Sequence, residues 1–300
     1  MKKKTYLFAL MAMALTLGSC SDNENGIGGE TSKYITVSTS IGNMTRVATD
    51  EKGGQTFEEG DEISVYAWTG DATVAPETRE RVVNNAINKL TNGSWVSTPQ
   101  MLWKNNRDKH YFIGVYPTAA ISDLSAGEYT FNETKQVESD LLVAVNKDGL
   151  SYNVDEPQTV PLTFTHVMAK LAVNLTYKNQ WGGIPTVEKV VVGNAAKEAT
   201  INYLTKVVTP STTAKEDFSL PEITENTKYV SVIIPQEDVK QLTIVIGGKN
   251  FVYDNGTPFK LESGKITTVN LEVGRDEIKL GDVKITNWED GSTFSGEALN

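Results

Sequence analysis

The sequence predicts an all-β protein built as two tandem β-sandwiches behind a cleaved export leader. Three observations predict it. Apolar and polar residues alternate in short runs along nearly the whole chain, and turn residues separate those runs. About 270 residues remain after the leader and its linker, more than one average domain and enough for two small ones.

The leader begins with Lys2, Lys3 and Lys4, followed by an apolar stretch over residues 6–17 that is too short to span a bilayer comfortably. It ends in Leu17-Gly18-Ser19-Cys20. Two small residues between a leucine and a cysteine let a peptidase reach the backbone and leave the thiol free for acylation. Residues 1–19 are therefore read as a lipoprotein signal peptide and Cys20 as the lipidation site. An ordinary signal peptide with a stray cysteine is the alternative, but Cys20 is the only cysteine and stands at the cleavage position. A single cysteine also excludes a disulfide within the chain.

Removing residues 1–19 takes away three lysines and no acid, which moves the formal charge from -10 to -13. Such an acidic chain argues against binding nucleic acid or anionic headgroups by charge. No later segment is long and apolar enough to form a spanning helix, so the lipid is expected to hold the protein to the outer membrane. Residues 20–32 are rich in Gly, Asn and acids, with Ile27 the single aliphatic, and read as a flexible tether. Its start, Ser21-Asp22-Asn23-Glu24, resembles the surface-export signal of Bacteroidetes lipoproteins.

The body then reads as strands. Residues 34–41 alternate, with Ile35, Val37, Thr39 and Ile41 on one side, as a strand with one buried face requires. Similar runs recur at residues 62–68, 111–116, 141–145, 171–175, 189–192, 229–234, 242–246 and 267–271. Turns are expected at Glu59-Gly60-Asp61, Lys147-Asp148-Gly149 and Asp254-Asn255-Gly256. Only residues 79–90 resemble a helix, because Val82, Val83, Ala86, Ile87 and Leu90 fall at helical spacing. A break near Pro157 and Pro161, ahead of a strand starting around Thr163, divides the body into an N-terminal sandwich (33–160) and a C-terminal one (161–300). The absence of a fixed-period repeat argues against a propeller or solenoid. Val283, Ile285 and Trp288 read as the final strand of the second sandwich, or as a detachable strand offered to a neighbour.

Little supports chemistry. The chain has two histidines, His110 and His166, on separate predicted strands, and no metalloprotease, nucleophile-elbow, P-loop or dinucleotide motif. No catalytic residue, metal site or cofactor is expected. Glu58, Glu59, Asp61 and Glu62 are clustered in a turn rather than opposed across a sugar, as a glycosidase pair would be. Asp254-Asn255-Gly256 suits a hairpin better than a calcium loop. Trp68, Trp95, Trp103 and Trp181 leave one rival reading, a surface lipoprotein that binds glycans on aromatic platforms.

Several ordered motifs carry a family resemblance. They are the lipobox, the first alternating strand, Thr45-Arg46, Gly60-Asp61-Glu62-Ile63 leading into Val65-Tyr66, and Tyr116-Pro117. Further on come Phe164-Thr165-His166-Val167-Met168-Ala169-Lys170-Leu171, Leu261-Glu262-Ser263-Gly264-Lys265, and Ile285-Thr286-Asn287-Trp288-Glu289-Asp290-Gly291. Together they resemble the fimbrillin-like proteins of Bacteroidetes, pilus subunits assembled from lipoprotein precursors, over essentially the whole mature chain. The resemblance implies two transthyretin-like β-sandwich domains and a place in a cell-surface fimbrium that supports adhesion. It also implies an arginine-specific protease cutting in the loop after the first strand, here between Arg46 and Val47. The strand bearing Ile35, Val37, Thr39 and Ile41 would then leave, and a strand from another pilin subunit, of the same or a different kind, would fill its place. A host protein or glycan receptor is compatible with such a role.

Overall fold

The computed structural model describes residues 33–42, 56–153, 156, 158–254 and 256–288. Eight strands form its first half: β1 (Thr36–Ile41), β2 (Glu62–Thr69), β3 (Arg81–Thr91), β4 (Ser94–Thr98), β5 (His110–Tyr116), β6 (Gly127–Thr130), β7 (Leu142–Leu150) and β8 (Thr159–His166). The second half contributes β9 (Ala169–Tyr177), β10 (Val187–Ala196), β11 (Glu198–Asn202), β12 (Val207–Pro210), β13 (Lys215–Ser219), β14 (Glu222–Thr224), β15 (Lys228–Ile233), β16 (Gln241–Ile246), β17 (Lys249–Asp254), β18 (Lys265–Val273) and β19 (Ile278–Asn287). Among the described residues the one helical element is a single 3₁₀ turn, Thr78–Glu80. The all-β class expected from the alternating runs is what the chain adopts, and each of the nine runs named above falls in or overlaps a strand.

Seven strands make the largest sheet, in the order β1-β8-β7-β5-β2-β3-β4. Its central strands are buried on both faces. On β2, Ile63, Val65 and Ala67 point into one apolar cluster with Phe112, Leu142, Ala144, Leu162 and Phe164, while Tyr66 and Trp68 point into the other. The sheet curls over the first cluster until its two edges approach. Trp95 of β4 reaches Thr39 of β1, and the Ile35 N–H donates to the Met101 carbonyl just beyond β4. The second cluster runs from the outer face of this sheet into the second half, where it fills the space among β9, β10, β15, β16 and β18.

That second half comprises a four-stranded sheet (β13-β10-β16-β17) and a five-stranded one (β14-β15-β9-β18-β19). The halves interlock, since β6 pairs antiparallel with β11 of the second half. The predicted division at 160 and 161 falls inside β8, and the sheet membership changes instead at Val167 and Met168, between β8 and β9. A proline usually interrupts a strand. Here it is tolerated. The β7 ladder covers only Phe164, Thr165 and His166 of β8, so the missing N–H of Pro161 breaks no bond on that side. Residues 159–163 have β1 as their only ladder neighbour.

Two expectations fail for one physical reason, the β-bulge. Residues 79–90 hold the end of the 3₁₀ turn and then β3, rather than an α-helix. Its pairing with β2 shifts register twice, and Asn85 takes a positive φ of 55°. Each shift inserts a residue into the alternation, so the buried Val83 and Ala86 stand three apart as they would on a helix. Likewise Lys147-Asp148-Gly149 is not a hairpin turn but part of β7. Gly149, at φ 66°, donates its N–H to the Asn146 side chain where the β5 register shifts.

Gly114 in β5 marks the tightest packing inside the curled sheet. A Cβ placed there would lie 2.6 Å from the Phe164 ring, which itself packs edge-on against Phe57. Gly114→Ala is expected to destabilise the chain by about 1–3 kcal/mol through overpacking. Denaturant titration checks it, and a change below ~0.5 kcal/mol would mean that the ring moves freely.

Candidate functional site

The candidate site is the first strand and the slot that it fills. β1 runs parallel to β8 in continuous register, from Thr36 opposite Thr159 to Ile41 opposite Phe164. Its alternation reads directly as burial. Ile35 and Val37 are 2% and 6% exposed, Thr39 and Ile41 are half-buried on the same side, and Thr36, Ser38 and Ser40 face solvent. Val160, Leu162 and Phe164 of β8 share that apolar cluster with Ile35 and Val37.

The other flank of β1 is also held. Besides the Ile35 bond, the Trp103 N–H donates to the Lys33 carbonyl, and Tyr34 bridges Leu102. Further along, the Trp95 indole N–H donates to the Thr39 hydroxyl at 3.0 Å. At the far end the Gly42 N–H donates to the Phe164 carbonyl, and Phe57 makes edge contacts with Trp95, Tyr116 and Phe164. β1 is thus the closing stave of the curled sheet. Residues 43–55, which join it to the rest of the chain, include Arg46 and Val47. Both lie outside the described residues, as does Cys20.

The C-terminal strand has the opposite character. β19 pairs antiparallel with β18 at the edge of the five-stranded sheet, yet nearly all its residues are exposed, including Val283 and Ile285. Both stand opposite buried β18 residues, Val269 and Thr267, so they overhang the core rather than enter it. Trp288 anchors the strand's end. Its ring stacks on His166 with centroids 4.1 Å apart and planes 7° from parallel, and the Lys170 ammonium lies 4.2 Å from the ring centre. Its backbone N–H donates to the Gly264 carbonyl. The His166 Nδ1 is 2.8 Å from an Asp140 carboxylate oxygen.

Burial holds the Lys170 amine down at about 8, with Asp140 partly opposing the shift and Lys228 adding to it. The unfolded chain therefore binds more protons between about pH 8 and the ordinary lysine value, and stability rises with pH through that window. Above about pH 10 the trend reverses. Burial raises the Tyr116, Tyr177 and Tyr203 phenols to about 12, so the unfolded state loses those protons first. Denaturation at pH 9.5 against pH 7.5 is expected to show a gain on the order of 2 kcal/mol, absent in Lys170→Met. A gain of equal size in the variant would assign it to other groups.

The residues considered for chemistry have structural partners. His110 is fully buried. Its Nε2 accepts the Lys104 N–H, its Nδ1 faces the Asp108 carbonyl, and burial lowers its pKa. Three of the four turn acids point to different tasks. Asp61 accepts from the Glu58 N–H and the Tyr116 hydroxyl, Glu59 from the Asn92 N–H, and Glu62 pairs with Lys89. Among the described residues no cluster of His, Cys, Asp or Glu could hold a metal ion. Trp68 and Trp103 are buried, and Trp181 packs against Phe251 while donating to the Val273 carbonyl. With Trp95 turned to Thr39, the four tryptophans build no shared platform for a sugar.

A family model described as fimbrillin-like matches residues 45–288. The chain belongs to the fimbrillin-like family. That is a family of structural subunits rather than enzymes. No curated protein matches the chain. Solved structures share the fold of this fimbrillin-like protein. A candidate cell adhesion protein from Bacteroides ovatus aligns with a TM-score of 0.62 at 17% identity, covering 86% of this chain and 99% of its own. One from Bacteroides uniformis gives 0.60 at 20% identity, covering 78% and 94%. The tip fimbrial protein Mfa3 of Porphyromonas gingivalis, with a C-terminal truncation, gives 0.50 at 10% identity, covering 77% and 95%.

Sequence reasoning found β1 and its inward residues but missed what holds them. The Trp95 to Thr39 bond, the Met101 to Trp103 flank and the cluster of Asp140, His166, Lys170 and Trp288 join residues far apart in the chain. A lysine between Ala169 and Leu171 was a signal, since a charge inside an apolar run needs a partner.

Proposed function

We propose that this fimbrillin-like chain is a pilus subunit, exported as a lipoprotein through Cys20, whose assembly replaces β1 with a strand from another subunit. The observation that carries this reading is the position of β1. It closes a curled sheet, buries Ile35 and Val37, and continues covalently into the rest of the fold through residues 43–55. A cut between Arg46 and Val47 would sever that connection. Loss of the strand would then leave the β8 ladder and an apolar cluster open, and another extended segment could satisfy both. The proposed location is the cell-surface fimbrium, with the lipid holding the precursor to the outer membrane and adhesion to a host protein or glycan as the outcome. The two halves, meeting at Val167 and Met168, are proposed to be the sandwich units.

The test uses the purified mature chain and an arginine-specific protease. A discrete truncation at Arg46, followed by ladders or filaments, is expected. Retention on a polysaccharide gel with no truncation and no assembly would instead favour the glycan-binding alternative.

A further inference from the structure

We infer that Trp95 reads the incoming strand, so that the slot takes an extended segment with aliphatic side chains at alternate positions and a hydroxyl or amide at the one facing the indole. The inference rests on the strand-replacement reading and specifies the partner that it requires.

The inward side of β1 is not uniformly apolar. Ile35, Val37 and Ile41 surround one polar residue, Thr39, and it is the one that meets a polar group of the slot. The Trp95 indole N–H has no other acceptor among the described hydrogen bonds. Phe57 covers the ring edge-on at 5.3 Å, and both Trp95 and Thr39 are half-buried, which limits the water able to take the hydroxyl's place. An aliphatic residue at this position would leave the donor facing a methyl group. The penalty for an unmet donor exceeds the gain from one more apolar contact.

Other hydroxyls of β1 do not discriminate in this way. Thr36 meets Thr159 and Ser40 meets Thr163, each at 3.2 Å on the solvent side. Water replaces such bonds at little loss. Selectivity therefore concentrates at position 39, while positions 35 and 37 ask only for aliphatic bulk.

The experiment uses the full chain, cut at a single engineered protease site at Arg46 and Val47. A labelled peptide of residues 33–42 competes for the slot with versions carrying Thr39→Ser or Thr39→Val. The serine peptide is expected to be retained like the natural one, and the valine peptide roughly three- to tenfold less. That preference should vanish when the cut chain carries Trp95→Phe. Equal or better retention of the valine peptide, or a preference that survives Trp95→Phe, overturns the inference. Failure of every peptide to enter the vacated slot overturns the strand-replacement reading instead, because it does not depend on residue 39. Should cutting unfold the protein, a double-mutant cycle of Thr39→Val and Trp95→Phe in the uncut chain decides the matter. Coupling of similar size in the unfolding equilibrium is expected, and no coupling overturns the inference.

Discussion

A chain carrying Val37→Asp is expected to lose its first strand from the slot while the rest of the fold survives. Val37 is almost fully buried beside Val160 and Leu162, and removing its side chain alone forfeits about 1.5–3 kcal/mol. A carboxylate in that position adds a larger penalty, since the cluster around it is built of apolar side chains. The loss has a ceiling. β1 hangs from residues 43–55 and can leave, so the total penalty cannot exceed the free energy that seats it. A destabilisation of roughly 4 kcal/mol, appearing as local opening, is therefore expected. Hydrogen exchange should show lost protection in residues 36–41 and 159–163 together, because the latter have no second ladder neighbour. Ser38→Asp on the solvent face is the control and should change little. Protection retained at 159–163 in Val37→Asp would show that β8 does not depend on β1.

Trp288→Ala is expected to have the second large effect, at the other end of the chain. The ring stacks on His166 just past the end of a strand whose residues are mostly exposed. Its removal deletes a stack on His166 and uncovers Lys170, which is 1% exposed. Large aromatic deletions cost about 3–5 kcal/mol when fully buried, and a half-buried ring should fall at the lower end, about 3 kcal/mol. The loss should be local again. β19 is expected to become protease-sensitive while β18, which also pairs with β9, keeps its protection. Trp288→Phe should recover part of the effect, and Val283→Ala should cost less, about 1 kcal/mol, because that side chain is only partly buried. A uniform loss across both halves would mean that Trp288 supports the core rather than the strand.

Which features were legible in the sequence follows from the range of the physics. Strand alternation is a local property, and β1, β2 and β5 were readable because a buried face imposes period two on neighbours. Bulges break that rule locally, which is why β3 imitated a helix and β7 imitated a turn. Pro161 imitated a linker because its tolerance depends on where another strand diverges, a fact set by the sheet and not by residues nearby. The slot itself was half legible. Ile35, Val37, Thr39 and Ile41 announced an inward face, but nothing local told that Thr39 would meet an indole 56 residues away. The same holds for Trp288, whose neighbours in space come from the junction between the halves.

The parallel seating of β1 along β8 also fixes how a segment in that position resists force. Six residue pairs stand in unbroken register from Thr36 to Ile41. Tension applied lengthwise would strain all of these rungs at once, whereas tension applied sideways would peel them in succession. A fibre whose joints are loaded in the first direction gains tensile strength from hydrogen bonds that are individually weak.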